Sequence, residues 1–343
     1  MEIKNYKLQV ILALSVLAII IYAFFSKETT LQNKMQDALE IHDHENALIF
    51  ASSLLEDEPG NQEAVDVIKE SGQILLFLQL AQGKLADLGV AKDQNTGQII
   101  FYVSTEQSSL SDPGGIAENV RVKPEKVYEY IKNATAYVAK AKSLDVGFKT
   151  TLKFEKSLNE AQVFVWNILA ANVLDVGKSV YSNVFNHYEK KSALIKSATR
   201  SEYLKKFLAV QSAWTPMETP IDKIKPTIEP LLNKMDDTGR LVADNKAGKA
   251  ENLSEALLIY IQAVKESGDI LLAPKGSYKD FTKLANNSIN EYKKAKNNLK
   301  RALPRSANVN KFSKPVKRIV GYELFQNDST VDLIKENKYF QGA

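Results

Sequence analysis

The chain has 343 residues, 45 Lys and Arg against 41 Asp and Glu, a formal net charge of +4, and no cysteine, which excludes disulfides, thiolate zinc sites and cysteine nucleophiles. Hydrophobic residues make up 44% and charged ones 25%, with only 15 Gly and 10 Pro, which excludes a largely disordered chain. The length allows one large or two ordinary cores, and the abundance of Lys, Glu, Ala, Leu and Asn predicts a mainly α body.

The first predicted element, residues 8–25, reads LQVILALSVLAIIIYAFF, with no charge and only Gln9 and Ser15 as polar interruptions. At 1.5 Å per residue it reaches about 27 Å, close to the hydrocarbon thickness of a bilayer. It is longer than the apolar core of a signal peptide, and its candidate cleavage triplet, Ile21-Tyr22-Ala23, has a bulky Ile where a small residue is needed. The expectation is a retained transmembrane helix acting as a signal anchor. Lys4 and Lys7 outweigh Glu2 before the span, whereas Asp37, Glu40, Asp43 and Glu45 outnumber Lys27 and Lys34 after it. That asymmetry predicts a cytoplasmic tail at 1–7 and a single pass of an inner membrane, with the body on the extracytoplasmic side, in the periplasm of a bacterial envelope.

Residues 31–92 then predict a helix, a tight turn at His42 to Asn46, a second helix, a turn at Pro59-Gly60 and a third helix. Ala47, Leu48, Ala51, Leu54 and Leu55 recur at three and four, on one helical face. With Ala47, Ala51 and Leu54 in a hairpin, Pro59 closing it and Ala64 opening the next helix, this stretch resembles a tetratricopeptide unit over about 34 residues. It departs from that family at Met35, where a small Gly is preferred, and at Leu31 and Ala38, where an aromatic is absent. The resemblance implies a helical module that docks a protein segment in a groove.

Residues 93–123 are rich in turn formers and predict a loop insertion with at most a short β element, Ile99 to Val103. From 124 to 303 the pattern is that of a helical bundle. Val127, Tyr130, Ile131, Ala134 and Val138 form a stripe, and Thr151 to about Trp214 runs long with a bend expected near Ser197 to Ser201. Pro216, Pro220, Pro226 and Pro230 predict a Pro-rich corner at 216–230. Helices are expected at Leu231 to Asn245, Asn252 to Leu272 and Tyr278 to Leu303. A basic tail at 304–343 follows, with a possible strand at RIVGYELF and a last amphipathic piece.

One phrase occurs twice: VIKESGQILL at Val67 to Leu76 and AVKESGDILL at Ala263 to Leu272. Ile68, Gly72, Leu75 and Leu76 share one helical face, as do Val264, Gly268, Leu271 and Leu272. A mid-helix Gly costs about 1 kcal/mol relative to Ala, so Gly72 and Gly268 predict close helix packing. The flanks leave duplication and coincidence both open. Glu70 and Glu266 are the phrase's only ionisable pair suited to acid–base or metal chemistry, but each follows a Lys and has no nearby His.

Chemistry elsewhere is sparse. His42-Asp43-His44 has the look of a ligand cluster, yet residues two apart on a helix do not face together, so an exposed turn is expected. No phosphate-binding, serine-elbow or zincin motif occurs, so no catalytic residue, metal or cofactor is assigned. The concentrated feature is basic. Lys293, Lys294, Lys296, Lys300, Arg301, Arg305, Lys311, Lys314, Lys317 and Arg318 face one acid, Glu291, giving +9 over 290–320 in a chain of +4. Such a segment on a net acidic remainder suits an anionic partner, a lipid or polymer surface or an acidic protein face. Nucleic acid is disfavoured, because the interleaved aromatics are only Tyr292 and Phe312 and the body is expected outside the cytoplasm.

The expected function is therefore a membrane-anchored, non-catalytic envelope scaffold or assembly factor, held by residues 8–25, binding a protein partner through helical surfaces and an anionic surface through its basic segment. A helical ligand-binding or sensory domain coupled to a membrane partner is one alternative. A cell-wall hydrolase and a cytoplasm-facing adaptor for nucleic acid or anionic lipid are others.

Overall fold

The computed structural model describes residues 30–105, 118–198, 215–243, 251–272, 278–305 and 307–324. The predicted anchor at 8–25 and the last amphipathic piece lie outside them. The described residues are mainly helical with one small sheet. In chain order they are α1 (30–40), α2 (His44–Asp57), α3 (Gln62–Leu85), β1 (Leu88–Lys92), β2 (Ile99–Thr105), β3 (Glu118–Val122), α4 (Pro124–Leu144), α5 (Lys149–Ala198), α6 (Thr215–Ala243), α7 (Glu251–Leu272), α8 (Tyr278–Ala302) and α9 (Asn310–Val320).

Local chemistry sets the helix starts. Asp43 caps α2 by accepting from the Asn46 backbone N–H, Asn61 caps α3 by accepting from that of Ala64, and Pro124 opens α4, where a missing N–H costs nothing. The stripe predicted on α4 is buried at Val127, Ile131, Ala134 and Val138, with Tyr128 fully enclosed and Tyr130 only half-buried. Helix α5 is the axis of the body. It spans about 75 Å at 1.5 Å per residue, and α4, α6, α7 and α9 all pack on it. Its stretch Lys149–Asn186 is, among the described residues, the one helix long and apolar enough to cross a membrane, and half of that apolar window is buried inside the body. The bend expected at 197–201 falls at and beyond the described end of α5.

Three expectations are corrected. The segment at 93–123 is not only a loop insertion: β2 is the centre of an antiparallel sheet, order β1-β2-β3, with Val90 opposite Phe101 and Phe101 opposite Val122. Its flanking strands are too short and mixed in composition to signal themselves. Phe101 seals the sheet onto the body, edge-on to Phe164 of α5 at 6.2 Å and Phe312 of α9 at 5.2 Å. The Pro-rich corner at 216–230 is part of continuous α6. Pro226 and Pro230 are exposed on either side of buried Ile228, so the carbonyls they leave unbonded face water. The strand predicted at RIVGYELF does not form among the described residues: 318–320 end α9, where Phe312, Val316 and Ile319 repeat at helical spacing and are all buried, and 321–324 are a turn and irregular chain.

The two copies of the repeated phrase lie in α3 and α7. Helix α3 packs between α2 and α4, and α7 packs against α6 and α8. Both phrase serines are buried, Ser71 bonding the His44 ring and Ser267 donating to the Ser288 carbonyl. The expected role of Gly268 is not met, since a Cβ there would touch nothing within 4 Å. The close approach lies at Gly177 of α5, where a Cβ would strike the ring and hydroxyl of Tyr260, whose Oη donates to the Leu174 carbonyl at 3.1 Å. Glu70 and Glu266 are exposed on separate helices.

Candidate functional site

The basic segment folds into two helices that lie end to end along α5. Helix α8 runs antiparallel to α5: Phe281 meets Tyr188 at 5.7 Å between ring centres, and Tyr292 stacks on Tyr181 at 3.7 Å. Helix α9 continues in the same direction. Phe312 lies 5.8 Å from Phe164, and Arg318 bonds Glu160 at 2.8 Å. The α5 residues that meet α9, Glu160 and Val163, stand 18 positions before those that meet α8, Lys178 and Tyr181. Eighteen residues are five helical turns, so both contacts fall on one face of α5, about 27 Å apart.

Along this face the cations gather in two groups. Lys293 and Lys300 of α8 and Lys178 of α5, the last paired with Asp175 at 2.6 Å, lie around Lys296. Partial burial, and then the like charges of Lys300, Lys178 and Lys293, hold the Lys296 amine below the usual lysine range. Its Nζ also lies 5.2 Å from the Tyr292 ring centre. In the second group, Lys311, Lys314 and Arg318 of α9 face Lys156 of α5 across a groove. Among the ten cations of the basic segment, ion pairs within 4 Å among the described residues are Lys294 with Glu291 at 3.9 Å and Arg318 with Glu160. Lys294 turns away from the band, toward α6 and α7. Arg301, Arg305 and Lys317 are exposed. Lys156 and Lys178 belong to the band although neither is in the basic segment.

A polar junction fixes the end of α9. Gln82 of α3 donates to the carbonyls of Ile319 and Tyr322 at 2.8 and 2.7 Å. The Tyr322 hydroxyl reaches Thr150 at 3.0 Å and Glu45 at 3.3 Å. Partial burial pushes the Glu45 carboxyl above its usual range against the hydrogen bonds from Tyr322 and Thr150. Beside it the histidine expectation holds in part: His42 lies in an exposed turn, but His44 is buried and the two rings do face together. His42 sits in the left-handed region at φ 56, and His44 occupies the first turn of α2, so their rings converge on one oxygen of Asp145, each at 2.7 Å. The other Asp145 oxygen accepts from the Gly147 backbone N–H at 2.7 Å. Burial alone would raise the Asp145 carboxyl, but the hydrogen bonds from His44, Gly147 and His42 outweigh it and hold it below the ordinary range.

Ser71, His44 and Asp145 are bonded in the order of a nucleophile, base and acid, with Ser71 Oγ 3.0 Å from His44 Nδ1. A substrate cannot reach it, because Ser71 is 0% exposed and His44 only 4%. With Nε2–H donated to Asp145, Nδ1 accepts the Ser71 hydroxyl proton, and the ring is satisfied. The junction is thus a polar staple between the α1–α2 and α4–α5 turns. Among the described residues, no group of three His, Asp or Glu is arranged to hold a metal.

No protein family matches the chain, and neither the characterised proteins nor the solved structures contain a significant match.

Proposed function

We propose that this protein is a membrane-anchored, non-catalytic scaffold or assembly factor of a bacterial envelope. Residues 8–25 hold it in the inner membrane as a single pass, the tetratricopeptide-like module at 31–92 takes a protein segment, and the body, on the extracytoplasmic side, presents its cationic band to an anionic partner. The observation that carries this reading is the end-to-end placement of α8 and α9 on one face of α5. That placement turns a run of basic residues into a directional strip, and like charges held side by side, as around Lys296, cost stability unless a partner neutralises them.

The reading is tested by topology and capture together. A periplasm-active and a cytoplasm-active reporter are fused after Ala343, and a photo-crosslinking residue is placed at Lys300 or, as a control, at exposed Lys132 of α4. The expected result is full-length protein in the membrane, an external C-terminus, and adducts from position 300 that are absent from 132. An internal C-terminus, or the same adducts from both positions, contradicts the proposal.

A further inference from the structure

Between α5 and α9 runs a groove of about 650 Å³, open to solvent along its length. On α5 its lining extends from Leu152 to Trp166, about 21 Å of helix, and on α9 from Asn310 to Arg318, about 12 Å. The floor is apolar. Leu152 is left 42% exposed and Val163 is half-buried, while Pro315 is buried and Trp166, also lining the groove, is 3% exposed. The indole Nε1 of Trp166 is buried and makes no hydrogen bond among the described residues. The walls are charged in a particular way. Both acids on the rim are already neutralised, Glu155 by Lys142 at 2.7 Å and Glu160 by Arg318 at 2.8 Å. Lys156, Lys311 and Lys314 have no acid within 4 Å among the described residues.

We infer that this groove docks an acidic amphipathic helix of a partner protein, its apolar stripe on the Leu152–Val163–Trp166 floor and its carboxylates on Lys156, Lys311 and Lys314. The charge pattern selects this occupant. Two helices with an apolar seam and about two to four exposed turns offer the geometry in which a third helix packs by ridges into grooves. Unpaired lysines on both walls call for carboxylates on both sides of the incoming apolar stripe. An anionic membrane surface fits less well. It is flat, so it does not reach a floor recessed between two helices, and it cannot avoid Glu155 and Glu160, whereas a peptide can vary its charge from one turn to the next. The inference deepens the scaffold reading by giving the chemistry of one protein partner, and it rests on that reading only in taking the body as a partner-binding surface.

The test uses the full chain in detergent micelles, with Trp214→Phe so that Trp166 is the sole tryptophan. A displayed library of randomised helical peptides is selected on this protein, and the enriched sequences are synthesised and titrated while Trp166 emission is followed. The expected result is enrichment of Asp or Glu flanking Leu, Ile or Phe at three- and four-residue spacing, with a saturable change in emission. Lys311→Glu with Lys314→Glu should weaken binding at least about tenfold. Lys293→Glu with Lys296→Glu and Lys300→Glu, on the other part of the band, should leave it within about twofold. Vesicles of phosphatidylcholine and phosphatidylglycerol should leave Trp166 emission unchanged. Selection without acidic enrichment, binding indifferent to the α9 reversal, or an emission change driven by the vesicles would each overturn the inference. If the groove fails while position 300 still captures a partner from outside the membrane, the scaffold reading stands. If topology fails while the peptide binds, only the scaffold reading falls.

Discussion

At the turn end of α5, His42, His44, Asp145, Ser71, Glu45, Thr150 and Tyr322 satisfy one another almost completely. Farther along the same helix, Lys156 and most cations of α8 and α9 do not, although Lys178 is paired with Asp175, Lys294 with Glu291 and Arg318 with Glu160. The first region has the residue types of an active site, but its serine and its central histidine are closed to solvent, and its bonds lock two turns and the end of α9 together. The second is made of Lys and Arg, mostly exposed and only partly paired, and its order comes from the aromatic and apolar side chains underneath. Polar groups that close on each other report on folding, whereas charges held apart from any counter-charge report on something outside the chain.

This contrast breaks first at Asp145. Asp145→Ala leaves two imidazoles and the Gly147 N–H without their acceptor and should cost about 3 kcal/mol in thermal unfolding, while binding to polyanions below the transition is unchanged. Acid titration sharpens the same point. The depressed Asp145 carboxyl contributes stability that is present above the ordinary aspartate value of 3.8 and is lost as pH falls through its lower folded value. The raised Glu45 works in the opposite sense: its contribution is full below the ordinary value of 4.5 and is lost as pH rises through its higher folded value. Stability should therefore rise slightly on mild acidification before it falls, and Asp145→Asn should shrink the fall, to which Asp93, also held low by hydrogen bonds from Thr96, contributes.

Next in size is Gly177→Ala. The added methyl group collides with Tyr260 and pushes its hydroxyl off the Leu174 carbonyl, which should cost about 1–3 kcal/mol in denaturant unfolding. The smallest effect is expected at Gly268, four residues before the described end of α7 with open space at its Cβ. Gly268→Ala should be neutral or stabilise by up to about 1 kcal/mol. Equal losses at both glycines would mean that the repeated phrase is the tight crossing after all.

The helices of the bundle were legible because Val127, Ile131, Ala134 and Val138 repeat at three and four, and such a stripe has one physical use. The end of α9 was not, because RIVGYELF is as short and apolar as a strand, and only the company of Phe312 and Val316 makes its period helical. The prolines of α6 read as a corner because an isolated rule forbids them inside a helix, whereas an exposed face absorbs their unbonded carbonyls. His42 and His44 read as unable to converge because residues two apart on a helix diverge. The left-handed backbone at His42 removes that premise, and their shared partner lies about a hundred residues away. The basic segment was visible as a run of charge, but Lys156 and Lys178 join it only through the packing of α8 and α9 on α5. No spacing in the sequence carries that.

The most direct test of the central claim is the binding of the full chain and of its Lys293→Glu, Lys296→Glu, Lys300→Glu variant to immobilised heparin and to phosphatidylglycerol vesicles over a series of salt concentrations. The account predicts binding that weakens steeply with salt, a loss of at least about tenfold in the variant with a shallower salt dependence, and unfolding within about 0.5 kcal/mol of the parent. Equal affinities and equal salt dependence for the two proteins would contradict it.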